Sequence, residues 1–329
     1  MEIVVLIIAL ALVFDFYNGM NDAANSIATI VSTRVLTPFQ AVAWAAFFNF
    51  VAAFAFGVSV ATTIGKGIVD VSIVDNYVIF AGIFGAIILT ASATHLGLPI
   101  SVSHAIIGGY GGAAIMKSGI AAIIISGYTK VLIFIFLAPI IGMIMAYVFS
   151  VLTLWIVKNM PPRKVDKYFR KLQLISAAVY SLSHGSNDAQ KTIGIITIVL
   201  FTNKLLGDSF YVPFWVIILS HTVIALGTLL GGWKVIKTLG MRVTKLTPFG
   251  GFSAETAAGL TIIGATMGGI PVSTTHTITG SIIGVGSVKG FSAVRWGVAK
   301  NILWAWVLTI PLSAIFAMIS YLIITGIFH

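Results

Sequence analysis

The chain has 329 residues, 58% of them hydrophobic and only 9% charged, with mean hydropathy +1.06 and formal net charge +10. A soluble globular domain carries about a quarter charged residues, so this composition excludes one and makes the lipid bilayer the chain's first partner. The cations gather in short segments between apolar runs, which reads as membrane topology and excludes a nucleic-acid surface. With no cysteines, disulfides and thiolate metal sites are excluded as well.

In chain order, residues 3–13 read as part of a first mature membrane segment, not a leader, because no Lys or Arg precedes them. The apolar stretch Ile3 to Thr33 carries polar residues at Asn18–Asn25. As one helix it would be about 46 Å long against a ~30 Å core, which predicts a broken or strongly tilted crossing. Arg34 and Pro38 end it, and a helix from Phe39 to about Val60 follows, with Trp44 as an interfacial anchor. A loop over Thr62–Asn76 leads to apolar runs 77–96 and 99–116, separated only by Gly97-Leu98-Pro99. So tight a join suits a re-entrant element buried in protein. Runs 120–126 and 131–157 make one or two further crossings.

Six of the nineteen basic residues then fall between Lys158 and Lys171. This segment is expected to be a cytoplasmic linker between a first membrane repeat, 1–157, and a second, 172–329. In the second half, Leu172–Leu200 is interrupted at Ser183–Lys191, and a helix covers Tyr211–Gly231. A basic loop, Lys234–Lys245 with Arg242, precedes apolar runs 249–268, 271–287 and 296–327. Two cytoplasmic loops around 172–231 put Thr202–Asp208 outside and start the second half from inside. The first half, opening with Glu2 and no basic residue, starts from outside. The expected fold is an all-α polytopic membrane protein of roughly 10–12 transmembrane segments, in two inverted repeats with interrupted and re-entrant helices.

Two motifs occur twice. Gly19-Met20-Asn21-Asp22-Ala23-Ala24-Asn25-Ser26-Ile27 returns as Gly185-Ser186-Asn187-Asp188-Ala189-Gln190-Lys191-Thr192-Ile193, with five of nine positions identical. An ionisable residue in such a segment is costly in hydrocarbon, and a duplicated one argues for a site. Pro99-Ile100-Ser101-Val102-Ser103-His104 returns as Pro271-Val272-Ser273-Thr274-Thr275-His276. If each Pro opens a half-helix, free amides at its positive end, with Ser101, Ser103, Ser273, Thr274 and Thr275 around them, form an anion cradle. Asp22 and Asp188, with Asn21 and Asn187, offer the hard oxygens that small cations prefer. Anion and cation in contact would lower the cost of burying each other, a physical route to coupled transport. Helix capping by the hydroxyls and carboxylates remains the alternative for each motif.

Lys191 stands where the first copy has Asn25, and either neutralises the anion or pairs with Asp188. Asn25, Gln190 and Lys191 are placed with the anion ligands. Glu255, without an acidic counterpart in the first half, is a third cation ligand or a gating group. His104 and His276 are accessory candidates, as proton carriers, anion ligands or neutral packed rings.

The paired Asn-Asp stretches, the second read from His184, and the paired Pro-x-Ser-x-Ser/Thr-His motifs resemble the inorganic phosphate transporter (PiT) family across the whole chain. The resemblance implies phosphate as substrate, sodium or proton symport and roughly a dozen membrane segments in inverted repeats. It also implies that Asp22, Asn25, Asp188, Lys191 and the Ser/Thr residues of both Pro motifs lie in the transport site. The long central cytoplasmic loop of the animal members is missing. The expected function is secondary active symport of inorganic phosphate with sodium at a midplane site in the cell membrane. No cofactor is expected, sodium ions enter only as co-transported ligands, and a homodimer is left open. Alternatives are a proton-coupled phosphate carrier, a sulfate permease, and an intramembrane enzyme pairing His104 or His276 with an Asp.

Overall fold

The computed structural model describes residues 1–242 and 244–328, without the side chains of Leu239, Met241, Arg242 and Phe328; residues 239–243 fall within the expected basic loop, so that expectation lies partly outside the described residues. The described residues form twelve α-helices and no β-strand. They are α1 (Glu2–Ser32), α2 (Pro38–Val51), α3 (Ser59–Lys66), α4 (Asn76–Leu96), α5 (Val102–Ser118) and α6 (Ile125–Val157). The second half gives α7 (Pro162–Thr202), α8 (Phe214–Leu230), α9 (Trp233–Arg242), α10 (Pro248–Met267), α11 (Thr274–Val288) and α12 (Trp296–Phe328). Among the described residues, α1, α4, α6 and α12 are each long and apolar enough to cross a membrane, and α2 and α3 are so only together, as a pair bent by 82° that makes a broken span or a re-entrant loop. The chain is a multi-pass membrane protein.

Several expected boundaries shift. The Asn-Asp stretches do not break their segments, since α1 and α7 run unbroken for 31 and 41 residues. Gly, Asn and Asp cost a helix only about 1 kcal/mol or less each, and tertiary partners outweigh that. The helix expected to reach Val60 instead ends in a 3-10 turn at Ala52–Phe54, and the chain turns into α3 after Gly57. Residues 125–157 form a single helix that accommodates Pro139. Most of the basic segment 158–171 is helical from Pro162 onward, and α9 occupies most of the expected loop 234–245.

The join before α5 is as tight as expected. Gly97 closes α4 with φ +75, and Gly269 takes φ +66 at the same place before α11, a left-handed geometry that suits glycine. Neither proline opens its helix, however. Ser101 and Ser273 are the N-caps, and Pro99 and Pro271 stand two residues before them.

The two halves exchange elements. Helix α6 packs on α10 and α11, whereas α12 packs on α4 and α5. Likewise α1 packs on α8 and α9, and α7 on α2 and α3. The motif glycines make two of these contacts possible. A Cβ at Gly19 would stand 2.2 Å from the Ile224 carbonyl oxygen, and one at Gly185 2.7 Å from that of Asn49. Overpacking of this kind costs about 1–3 kcal/mol or more. We therefore expect Gly19→Ala to lower the thermal midpoint and the monodisperse yield in detergent. Gly264→Ala, where nothing lies within 4 Å, should change neither. Helices α6 and α12 face outward with Leu132, Ile133, Phe136, Leu303, Val307 and Ile315 exposed, as expected of a lipid-facing shell.

Candidate functional site

The middles of α1 and α7 meet the first turns of α5 and α11, and nearly every side chain there is buried. Asp22 and Asp188 come from the two copies of the first motif. Thr274 Oγ1 lies between them, 3.3 Å from Asp22 Oδ2 and 3.3 Å from Asp188 Oδ2, with one proton to give to either. Thr275 Oγ1 lies 3.4 Å from Asp22 Oδ1, and the Asn25 amide donates to Thr275 at 2.9 Å and to Thr274 at 3.4 Å. Lys191 Nζ pairs with Asp188 Oδ1. One compact centre thus gathers Asp22, Asn25, Asp188, Lys191, Thr274 and Thr275.

The second motif ties the two halves together. Ser103 Oγ donates to the Val272 carbonyl at 2.9 Å, and its counterpart Thr275 donates to the Ile100 carbonyl at 3.1 Å. Ser101 and Ser273 accept the N–H groups of His104 and His276, at 3.3 and 3.2 Å. These caps leave the remaining first-turn amides of α5 and α11 without an intrahelical partner, the donors that a helix N-terminus offers to an anion. Asn21 and Asn187 also play matching parts. Each donates its amide to a threonine, Thr94 at 3.0 Å and Thr266 at 2.9 Å, and each keeps a buried Oδ1 without a partner. An unpartnered buried carbonyl oxygen is a hard donor of the type that small cations take.

His184 joins the centre although its part in the site was not foreseen. Its Nδ1 lies 3.1 Å from Asn49 Oδ1, and its Nε2 lies 3.4 Å from Asp188 and 3.9 Å from Asp22. Thr228 donates to the Ile224 carbonyl, so it accepts from the Asn49 amide, and Asn49 Oδ1 must accept from His184 Nδ1–H. A neutral ring would then aim the Nε2 lone pair at two carboxylates. A proton or a cation must fill that gap, carried by the imidazolium, by one of the two carboxyl groups or by a bound ion. Asp22, His184 and Asp188 each offer a ligand atom within 4.8 Å of the others. The signal was present in the sequence: a His four residues before Asp188 shares its helix face.

Other expected members lie elsewhere. Gln190 accepts from the N–H groups of Val60 (2.9 Å) and Ala61 (3.2 Å), so it anchors the start of α3. Glu255 accepts from Gln173 Nε2 at 2.9 Å and Ser176 Oγ at 2.5 Å, and Thr33 bonds Gln173 in turn. Even Ser176, the nearer of these α7 partners, stands twelve residues before Asp188, about 18 Å along the helix, so Glu255 belongs to a second polar cluster and not to the central one. His104 and His276 pack against each other with centroids 4.7 Å apart, and His276 stacks on Trp306 at 3.7 Å. Among the described residues neither lies within ion-pair distance of a carboxylate. The acid/base pair that an intramembrane enzyme would need is therefore not formed by either His.

A family model described as "Phosphate transporter family" matches residues 18–317. The chain belongs to the phosphate transporter family. It is 52% identical over 315 residues to a "Probable low-affinity inorganic phosphate transporter" of Rhizobium meliloti (strain 1021), covering 96% of this chain and 94% of that one. A Bacillus subtilis (strain 168) protein of the same description is 43% identical over 326 residues, covering 98% of each chain. The solved structure titled "The sodium-dependent phosphate transporter" superposes with TM-score 0.89 at 26% identity, covering 99% of this chain and all of that one. The members of this family are transporters, and this chain is likewise a transporter and not an enzyme.

Proposed function

We propose that the chain moves inorganic phosphate across the cell membrane by symport with sodium, by alternating access at the centre just described. The observation that carries this reading is the meeting of Asp22 and Asp188 with Lys191 between the N-termini of α5 and α11. With His184 neutral, two carboxylates and one ammonium leave a net negative charge, which repels an anion until cations bind. Sodium on Asp22, Asp188 and the free oxygens of Asn21 and Asn187 makes the centre attractive to phosphate. Phosphate is then held by Asn25, Lys191, Ser103, Thr274, Thr275 and the helix-start amides. Glu255, with Gln173 and Ser176, serves as a separate sodium site along the path. The repeats are inverted, with segments 158–171 and 234–245 in the cytoplasm.

The test is uptake of labelled phosphate by purified protein in liposomes, with sodium and pH gradients imposed separately. A sodium gradient should drive accumulation at uniform pH, and sulfate should compete poorly. Accumulation driven by a pH gradient alone, without sodium, would replace sodium by protons. The free Nε2 of His184 between two carboxylates gives that second reading a specific foothold.

A further inference from the structure

Asp15 lies two turns before Asp22 on α1, wholly buried, with no hydrogen bond to either carboxylate oxygen. Its nearest polar neighbours, Asn18 on its own helix and Thr192 on α7, are also buried and unpartnered. Its counterpart in the second half is Ser181, so the paired architecture of the centre does not call for an acid here. A buried, unpaired carboxylate is too costly to persist as an anion and must take up a cation or a proton.

Among the helices packed on α1, charge reaches Asp15 from α7 alone, through Asp188 and Lys191. The other helices packed on α1 carry titratable groups of their own, and His104, His221 and His276 each keep one buried ring nitrogen without a partner. On α4, His95 lies beside Tyr17, and on α8 His221 bonds the Ile217 carbonyl. On α5 and α11, His104 and His276 pack together; on α10, Glu255 is held by Gln173 and Ser176; on α9, Lys234 bonds the His95 carbonyl.

We propose that Asp15 is a proton-binding site distinct from the Asp22–Asp188 centre, coupled to phosphate binding through Lys191. The coupling to phosphate rests on the proposed function; the proton site does not. A proton is favoured over sodium by ligand count. The two carboxylate oxygens, Asn18 Oδ1 and Thr192 Oγ1 fall short of the about six oxygens that hard cations gather, whereas a proton needs one acceptor. Lys191 pairs with Asp188 and immediately precedes Thr192, the neighbour of Asp15 on α7, so it stands between the two carboxylates along that helix. Protonated Asp15 leaves the ammonium to the centre. Deprotonated Asp15 draws on the same ammonium and adds a negative charge near the anion. Phosphate affinity should therefore fall as pH rises through the titration of Asp15.

Calorimetric titration of the full chain with inorganic phosphate, in saturating sodium over a pH series, tests this against Asp15→Asn. The wild-type to variant affinity ratio cancels the titration of phosphate itself. It should be constant at low pH and fall by up to about tenfold per pH unit above the titration of Asp15. Asp15→Glu should keep a pH-dependent ratio with a displaced midpoint, which separates proton binding from simple loss of folded protein. A ratio independent of pH would overturn the proposal, and one that changes only with sodium concentration would make Asp15 a sodium ligand instead. Infrared titration of the ligand-free protein decides the proton site even if no phosphate binds. A carboxylic-acid carbonyl band that disappears with rising pH in the wild type, and is missing in Asp15→Asn, supports it; identical spectra overturn it.

Discussion

Asp22→Asn should remove most of the effect of sodium on phosphate binding while leaving the protein folded. The amide keeps the size of the side chain and one oxygen to accept from Thr274, whose hydroxyl is 3.3 Å from the carboxylate. What it loses is the charge. A unit pair about 4 Å apart is worth about 4 kcal/mol at an effective dielectric of about 20. The sodium-dependent gain in phosphate affinity should therefore shrink by up to about a thousandfold. Because linkage is reciprocal, the effect of phosphate on sodium affinity must shrink by the same factor. Phosphate titrations at a series of sodium concentrations measure it. If phosphate binding vanished while sodium binding stayed intact, Asp22 would hold the anion through a proton, and proton coupling would take the place of sodium.

The second large effect concerns Lys191, fully buried and paired with Asp188. Removing one member of a buried ion pair costs about 3–5 kcal/mol, because the survivor keeps an uncompensated charge. Lys191→Met should lower thermal stability by that order and abolish phosphate binding. Adding Asp188→Asn removes the stranded charge, so the double variant should regain much of the stability and none of the binding. A double-mutant cycle on thermal midpoints checks the first part, and calorimetry checks the second. Equal instability in the single and double variants would mean that Lys191 acts through its packed alkyl chain and not its charge.

The polytopic helical architecture and the two duplicated motifs were legible in the sequence, because hydrocarbon punishes stray polarity and leaves a clear pattern. The tight join at Gly97-Leu98-Pro99 was legible for the same reason. Helix continuity was not. Asn, Asp and Gly inside α1 and α7 look like breaks until Thr94, Thr266, Ile224 and Asn49 are seen to receive them. The bend between α2 and α3 leaves only Gly57 as a sign. Asp22 and Asp188 could be paired from their repetition alone, whereas Glu255 and Gln190 could not be placed. Their partners, Ser176 for one and the start of α3 for the other, are set by packing across the two halves.

The exchange of α6 and α12 between the halves has a consequence for how the protein is made. When α6 leaves the ribosome, the helices that will cover it, α10 and α11, have not been synthesised. At about 5–20 residues per second they follow on the order of ten seconds later. During that interval α6 must wait in lipid with its inner face bare, including Gly142, which ends against the carbonyl of Thr277. The first half is thus an incomplete body until the second arrives, and only the last helix, α12, closes the cover over α4 and α5. Chains truncated before Trp296 should then be recognised as unfinished and degraded, even though the whole phosphate centre has already been translated.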